Sequence, residues 1–271
     1  LISTAISYPN GKPHIGHAYE AVIADVLARS YRERWKDVIL STGTDEHGLK
    51  IARAAQGAGL EPQAYVDGTS QPFVELAAAL GLTEHRFVRT TDDDHKLVAQ
   101  AVWNRLVESG DIYLAEYSGW YSVRDEAYFA EDELIHSGNV WPCAPTGNPV
   151  EWVKETNYMF RLTRYRDRLI AHFDQHPDFI LPAQRFNEAR NMLDNLTDVS
   201  ISRTRFDWGV AVPGAPEHVM YVWIDALSNY LTAIGFPNHD PEFLENAIHV
   251  IGKDIVRFHS ILWPAILMSA N

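Results

Sequence analysis

Cysteine is nearly absent from this sequence: Cys143 stands alone among 271 residues. One thiol excludes an internal disulfide framework and a cysteine-rich zinc site, and it fits a reducing compartment, so a cytoplasmic protein is expected. No run of eighteen apolar residues occurs either, so no transmembrane helix and no membrane partner are expected. Basic residues are outnumbered, 23 Lys and Arg against 36 Asp and Glu, for a formal net charge of −13. Such a chain repels nucleic acid overall, and contact with RNA requires a local basic patch. Two candidates are Arg29, Arg32, Arg34 and Lys36, and Arg161, Arg164, Arg166 and Arg168. A solvated helix face is the plainer reading of each. No secretory signal is visible in these residues either. The chain starts on Leu1 inside a strand pattern, without Met, from which a missing or trimmed N-terminus is expected. Neither familiar glycine-rich phosphate loop, G-x-x-x-x-G-K-[ST] or G-x-G-x-x-G, is found.

What is present reads as globular. Hydrophobic residues make up 46% of the chain, with eight tryptophans, enough to build a substantial core. The apolar run Leu1 to Ile6 leads into Pro9-Asn10-Gly11-Lys12-Pro13-His14-Ile15-Gly16-His17. Tyr19, Val22, Ile23, Val26, Leu27 and Tyr31 then recur at helical spacing. A strand, a Gly/Pro turn and a helix N-terminus together form an anion site, because free backbone N–H groups and the helix dipole point at the turn. Two imidazoles there can donate to phosphate oxygens, and Gly16 leaves room for a flat ring.

Strand and helix signals alternate from Leu1 to about Gly110. Val38-Ile39-Leu40 reads as a strand ending at Ser41-Thr42-Gly43-Thr44, His47 to Ala55 as helix, Phe73 to Leu80 as helix, Arg86 to Arg89 as strand, and Asp92 to Ser109 as helix. Between about Ile112 and Pro149 the texture changes. Gly119-Trp120-Tyr121-Ser122 and Glu126-Ala127-Tyr128-Phe129 suggest antiparallel strands, and Ser137-Gly138-Asn139 and Pro142 to Pro149 suggest loops. Helices return at about Leu162–Phe173 and Pro182–Leu196, followed by strands at Tyr221-Val222-Trp223-Ile224 and Ile248 to Gly252. The economical fold is α/β: a Rossmann-like doubly wound parallel sheet from residues 1–110 and 221–271, interrupted by an inserted connective α+β module at 111–220.

Four segments lie at carboxyl ends of predicted strands, where open α/β sheets hold their ligands. They are His14 to His17, Gly43-Thr44-Asp45-Glu46-His47-Gly48, Tyr221-Val222-Trp223-Ile224-Asp225-Ala226 with Tyr230 beyond, and Ile251-Gly252-Lys253-Asp254-Ile255 with Phe258-His259 and Trp263-Pro264-Ala265. In this combination and order the chain resembles the methionyl-tRNA synthetases, a family of class I aminoacyl-tRNA synthetases, from Leu1 to Asn271. The H-x-G-H signature alone marks only the wider nucleotidyl-transfer superfamily; the other three segments single out the methionine enzymes.

The resemblance implies activation of L-methionine with ATP and Mg2+ to methionyl-adenylate, then transfer to tRNA(Met), by a protein expected to be a monomer. It implies phosphate contacts from His14 and His17, further ATP contacts from Lys12, Gly16, Glu20, Gly252 and Lys253, and catalytic standing for His14, His17 and Lys253. Asp45 would hold the substrate ammonium; a helix N-cap is the structural alternative. His47 is expected to steady the turn. Ile6, Tyr8, Val222, Trp223, Ala226, Leu227, Tyr230, Ile255 and His259 would form the methionine pocket. His259 and Tyr8 would offer the sulfur a hydrogen bond, a polar element needed because size alone separates one methylene by only about 1–3 kcal/mol. Trp263 and Phe258 read equally well as core. Arg203 matches a family arginine at the site entrance and would meet ATP or the tRNA acceptor end, with a surface salt bridge as alternative.

Two departures stand out. Zinc-binding relatives carry C-x-x-C pairs in the inserted module, where this chain has Ser122 and Asp125, then Cys143 and Thr146. One soft ligand of four cannot hold structural zinc, so a metal-free insertion is expected, held by Trp120, Tyr121, Tyr128, Phe129 and Trp152. The Lys-Met-Ser-Lys-Ser loop of class I synthetases and a helical anticodon-binding domain are not found before Asn271. The front part of a longer enzyme is therefore expected. The alternatives are another H-x-G-H nucleotidyl transferase that activates a small acid without tRNA, and a truncated non-catalytic paralogue that binds methionine or tRNA.

Overall fold

A computed structural model describes residues 1–34, 37–137, 140–238 and 242–270; Lys36, Gly138, Asn139 and Asn271, named above, lie outside them. The N-terminal region alternates β1 (Ile2–Thr4), α1 (Ile15–Arg32), β2 (Leu40–Thr44), α2 (Leu49–Ala58), α3 (Pro62–Ala79), β3 (Arg86–Arg89) and α4 (Asp93–Glu108). Strands then take over: β4 (Ile112–Ser122), β5 (Ala127–Phe129), β6 (Ile135–Ser137), β7 (Val140–Cys143) and β8 (Glu151–Phe160). Helices α5 (Arg166–Gln175) and α6 (Ala183–Met192) follow, then the short strands β9 (Val199–Ser200), β10 (Ser202–Arg203), β11 (Ala211–Val212) and β12 (Ala215–Met220). The last part holds α7 (Val222–Leu227), α8 (Asn229–Ala233), α9 (Glu242–Glu245), β13 (Ile248–Val250) and α10 (Trp263–Ala270).

One sheet is wholly parallel, in the order β13-β1-β2-β3. The chain moves outward from β1 to β3 and returns to the other side of β1 as β13. Strand order therefore reverses between β1 and β13, the place where doubly wound sheets open a crevice at their carboxyl ends. Antiparallel sheets fill the middle of the chain, β5-β4-β8-β9 and β10-β12-β11, with the ribbon β6-β7. One large core joins the two parts: Trp103 and Leu106 of α4, Phe160 of β8, Leu169 of α5, Ile224 of α7 and Ile266 of α10 belong to a single buried cluster.

Two expectations are corrected. Tyr221 to Ile224 is not a strand: the strand ends at Met220, Tyr221 is the N-cap, and Val222 opens α7. Every residue of α7 is buried. A helix enclosed on all sides shows a continuous apolar run, which periodicity cannot separate from a buried strand. The apolar face read on α1 is also not its buried face. Ala21, Ala24, Asp25 and Ala28 are buried, whereas Tyr19, Val22, Val26 and Tyr31 are exposed. Small residues bring α1 close to the sheet, and the larger side chains point away. Other boundaries move: β2 starts at Leu40, α2 at Leu49, and α3 already at Pro62.

Candidate active site

A crevice of about 540 Å³ opens at the carboxyl ends of β1 and β13. Ala5 to Tyr8 leave β1 on one side, and Val250 to Gly252 leave β13 on the other. The β1–β2 pairing continues past β1 through a Ser7–Thr44 bridge. Ser7 N–H donates to the Gly43 carbonyl at 3.0 Å and Asp45 N–H to the Ser7 carbonyl at 2.9 Å. These bonds carry Tyr8 and Asp45 side by side into the crevice.

His14 is the N-cap of α1. The Gly16 N–H donates to His14 Nδ1 at 3.0 Å, and the His14 N–H donates to His17 Nδ1 at 3.1 Å. The rings stack 3.9 Å apart. A nitrogen that accepts from a backbone N–H carries no proton, so both neutral rings keep theirs on Nε2. Burial and the neighbouring His14 lower the His17 pKa, which favours this neutral form. Glycine at position 16 has a local reason as well: a Cβ there would lie 2.8 Å from His14 Cε1. The result is an 18-residue helix whose N-terminus presents two N–H donors, an arrangement suited to phosphate oxygens.

Three ionisable residues follow β2, and each goes its own way. Glu46 is fully buried and accepts from Thr44 Oγ1 (2.7 Å), Ser70 Oγ (2.6 Å), Arg89 Nε (2.7 Å) and Nη2 (3.1 Å), and Thr91 Oγ1. His47 donates from Nδ1 to Asp225 Oδ2 at 2.7 Å, while His95 Nε2 holds Asp225 Oδ1 at 2.7 Å. Burial alone would raise the Asp225 pKa, but the two imidazoles outweigh it and hold the carboxyl at about 2. His47 thus does more than steady its turn: it ties the loop to α7. Asp45 is 3% exposed, and its Oδ1 has no protein hydrogen-bond partner among the described residues. Burial first, then the carboxylates of Asp225 and Glu126, push its pKa well above the usual range. It is not a helix cap, since Gly48 occupies that position. The Tyr8 hydroxyl beside it is likewise buried and unpartnered, and Lys50 Nζ lies 4.3 Å from the centre of the Tyr8 ring.

The opposite wall is aromatic. Trp223 stacks on Phe258 at 3.7 Å with the planes 7° apart. His259 lies in a π-helical turn, Phe258–Leu262, a distortion that often marks functional positions. Its Nδ1 meets the Ile255 carbonyl at 3.0 Å and must carry the proton; its Nε2 then accepts from the Tyr230 hydroxyl at 2.7 Å. Burial lowers its pKa to about 4, so the ring is neutral. Both nitrogens are occupied, and His259 has no N–H left for a sulfur. Of the two donors expected for that role, Tyr8 remains.

Ile6, Tyr8, His14, Gly16, His17, Glu20, Asp45, Trp223, Ala226, Leu227, Tyr230, Gly252, Ile255 and His259 all line this crevice. Lys12 and Lys253 do not; both are exposed. Val222 is packed in the core. Arg203 is not at an entrance either. It is 3% exposed, its guanidinium carbon lies 4.3 Å from the Tyr221 ring centre and 4.9 Å from that of Tyr128, and Nη1 donates to the Ser200 and Ser202 carbonyls. Phe258 and Trp263 belong to the core cluster. The crevice also includes Asn229 and Asp254, which sequence reasoning passed over. Both sit inside quoted segments or next to them, and that adjacency was the available signal. Within the two basic clusters, Arg29 and Arg32 bond to Asp25, Thr83 and the Glu84 carbonyl, and Arg164 and Arg166 to Asp111 and Asp194.

Between β4 and β5, Asp125 gathers polar side chains from two stretches of the chain. Its carboxylate accepts from Ser122 Oγ (2.6 Å), Thr146 Oγ1 (2.7 Å) and Asn148 Nδ2 (2.7 Å). Aromatic packing is present as well, Trp120 on Trp152 and Tyr121 on Tyr128. Among the described residues no group of three His, Cys, Asp or Glu could hold a metal, and no helix is long and apolar enough to cross a membrane.

The family model for class I tRNA synthetases (M) matches residues 1–271. The methionine–tRNA ligase of Rhizobium meliloti is 50% identical over the whole of this chain, which covers 53% of that protein. The chain therefore spans about half the length of the curated relatives it matches. A structure of Mycobacterium tuberculosis methionyl-tRNA synthetase in complex with methionyl-adenylate is 51% identical, with a TM-score of 0.94 over 99% of this chain and 54% of that one. The apo form of the same enzyme matches at a TM-score of 0.82 and 47% identity, over 99% of this chain and 52% of that one.

Proposed function

The chain belongs to the class I tRNA synthetases (M), and on that premise we propose that it is the amino-acid-activating part of a methionine–tRNA ligase. It joins L-methionine to ATP as methionyl-adenylate, and the protein passes the methionyl group to tRNA(Met). Asp45 carries this reading: a buried carboxylate with an unpartnered oxygen, in the same crevice as the His14 and His17 rings. A substrate ammonium on Asp45 supplies the missing partner and offsets the cost of the buried charge.

With the ammonium held there, the methionine carboxylate reaches toward the start of α1. One carboxylate oxygen attacks the α-phosphorus of ATP; the new O–P bond forms as the bond to pyrophosphate breaks, and no proton has to move. The protein's part is positioning and electrostatic stabilisation. The Nε2–H groups of His14 and His17 donate to phosphate oxygens, and the N-terminus of α1 favours their charge. Trp223, Ala226, Leu227 and Ile255 enclose the side chain, and the Tyr8 hydroxyl is the donor available to the sulfur. Mg2+ would travel with the triphosphate, as no protein donor set of three is found among the described residues.

Methionine-dependent exchange between ATP and pyrophosphate, measured on the full-length protein containing this chain, tests the reading. Exchange driven by a different acid, with none driven by methionine, would make it another H-x-G-H nucleotidyl transferase. Methionine binding without any exchange would make it a binding module.

A further inference from the structure

Glu126 belongs to the insertion, in the turn between β4 and β5, yet two of its bonds lead elsewhere. It is the only non-glycine residue among those described with a positive φ, 50°, and it is 1% exposed. Backbone in that region is strained for a residue with a side chain and persists where the surroundings over-determine it. Here they do. Oε1 accepts the Lys50 N–H at 2.7 Å, Oε2 accepts the Tyr121 hydroxyl, and the Glu126 carbonyl accepts the Tyr221 hydroxyl at 2.8 Å.

The two partners outside the insertion, Lys50 and Tyr221, matter to the crevice. Lys50 is in the first turn of α2, whose N-cap, Gly48, has no side chain to offer; Glu126 caps that helix from 76 residues away. Gly48 (φ 97°) comes so close that a Cβ would meet Glu126 Oε1 at 2.9 Å. The loop carrying Asp45 ends at this contact. Tyr221 is the N-cap of α7, which carries Trp223, Ala226 and Leu227. Behind the turn, Asp125 gathers Ser122, Thr146 and Asn148, which fixes where Glu126 emerges.

We propose that Glu126 is a positioning residue for the amino-acid pocket, setting the distance between the Asp45 loop and the Trp223 helix from its place in the inserted module. This rests on the reading of the crevice as a methionine site. Without the carboxylate, α2 loses its cap and the loop before it is free to retreat, while the phosphate-facing His14–His17 turn is unaffected. Methionine affinity should therefore fall and ATP affinity should not.

The test is isothermal titration with methionine, joined to exchange kinetics on the full-length protein. Glu126→Ala is expected to weaken methionine binding at least tenfold and to raise KM for methionine in parallel, with KM for ATP within twofold. Glu126→Gln, which keeps an acceptor for the Lys50 N–H, is expected to stay within threefold of the parent. Tyr221→Phe removes only one hydroxyl, and a weakening of about threefold is expected. Should Glu126→Ala fail to fold, Tyr221→Phe decides. Folded Glu126→Ala with affinity within twofold of the parent, equal changes in both KM values, or unchanged affinity in Tyr221→Phe overturns the proposal. Failure of the parent protein to bind methionine overturns the site reading itself and the proposal with it.

Discussion

Asp45 and Glu46 are adjacent, both carboxylates and both buried, yet Glu46 receives donors from four side chains while Asp45 Oδ1 receives none. The difference extends to the regions on either side of the loop. Beneath it, Glu46 with Arg89 and Asp225 with its two histidines form saturated networks. Above it, the crevice wall holds the Tyr8 hydroxyl, Asp45 Oδ1, Trp223 Nε1 and Asn229 Oδ1, all buried and all without a hydrogen-bond partner among the described residues. An unsatisfied buried polar group costs about 1–3 kcal/mol. The floor stabilises the fold; the wall gives some of that stability up, as a binding surface does.

Substitutions on the two sides should separate accordingly. The largest effect is expected for Asp45→Ala: methionine affinity in calorimetry falls roughly a hundredfold or more, as when a buried charge pair is truncated, while the melting temperature does not drop. Retained affinity would move Asp45 to the structural side. Glu46→Ala should show the reverse pattern, a loss of about 3–5 kcal/mol in urea unfolding, because Arg89 and three hydroxyls lose a buried partner. An unfolding curve like that of the parent would dissolve the distinction.

Acid should act next. Burial holds His259 at about 4 and His249 at about 3, both below the ordinary 6.5. Between pH 6.5 and 4 the unfolded chain takes up protons that the folded one refuses. Stability is therefore complete above 6.5 and falls as pH drops toward 4, by on the order of 3 kcal/mol for His259. Asp225 has the sign of a depressed carboxylate, and its contribution disappears only between about pH 4 and 2. Urea midpoints that stay level from pH 7 to 4.5 would contradict the histidine assignment. The smallest effect belongs to the Asp125 hub: Thr146→Val removes two exposed hydrogen bonds, one to Asp125 and one from Asn148, and should cost about 0.5–1.5 kcal/mol. A change above 3 kcal/mol would mean that the hub does more for the fold than the loop floor suggests.

Much of this was legible in the sequence because backbone turns and buried strands leave local marks. The alternation of strands and helices announces the parallel sheet, and four short segments at strand ends announce the crevice. What stayed hidden depends on enclosure. α7 is buried on every face, so its apolar run imitates a strand; α1 buries alanines, so its conspicuous valines and tyrosines mislead. Arg203 reads as an arginine at the site entrance, or as a surface salt bridge, until Tyr121, Tyr128 and Tyr221 are placed around it. Glu126 could not be found at all from local pattern, since the partners that tie it to the crevice are Lys50 and Tyr221, remote in sequence on either side.

The paired caps at His14 and His17 have one more consequence. Each ring can hold its backbone N–H only while Nδ1 is bare, so an imidazolium at either position would gain a charge and unfasten the first turn of α1 in the same event. The helix start thus selects neutral donors over charged ones. It trades stronger attraction for a fixed direction of each Nε2–H, and it links the protonation state of an anion site to the integrity of the helix that carries it.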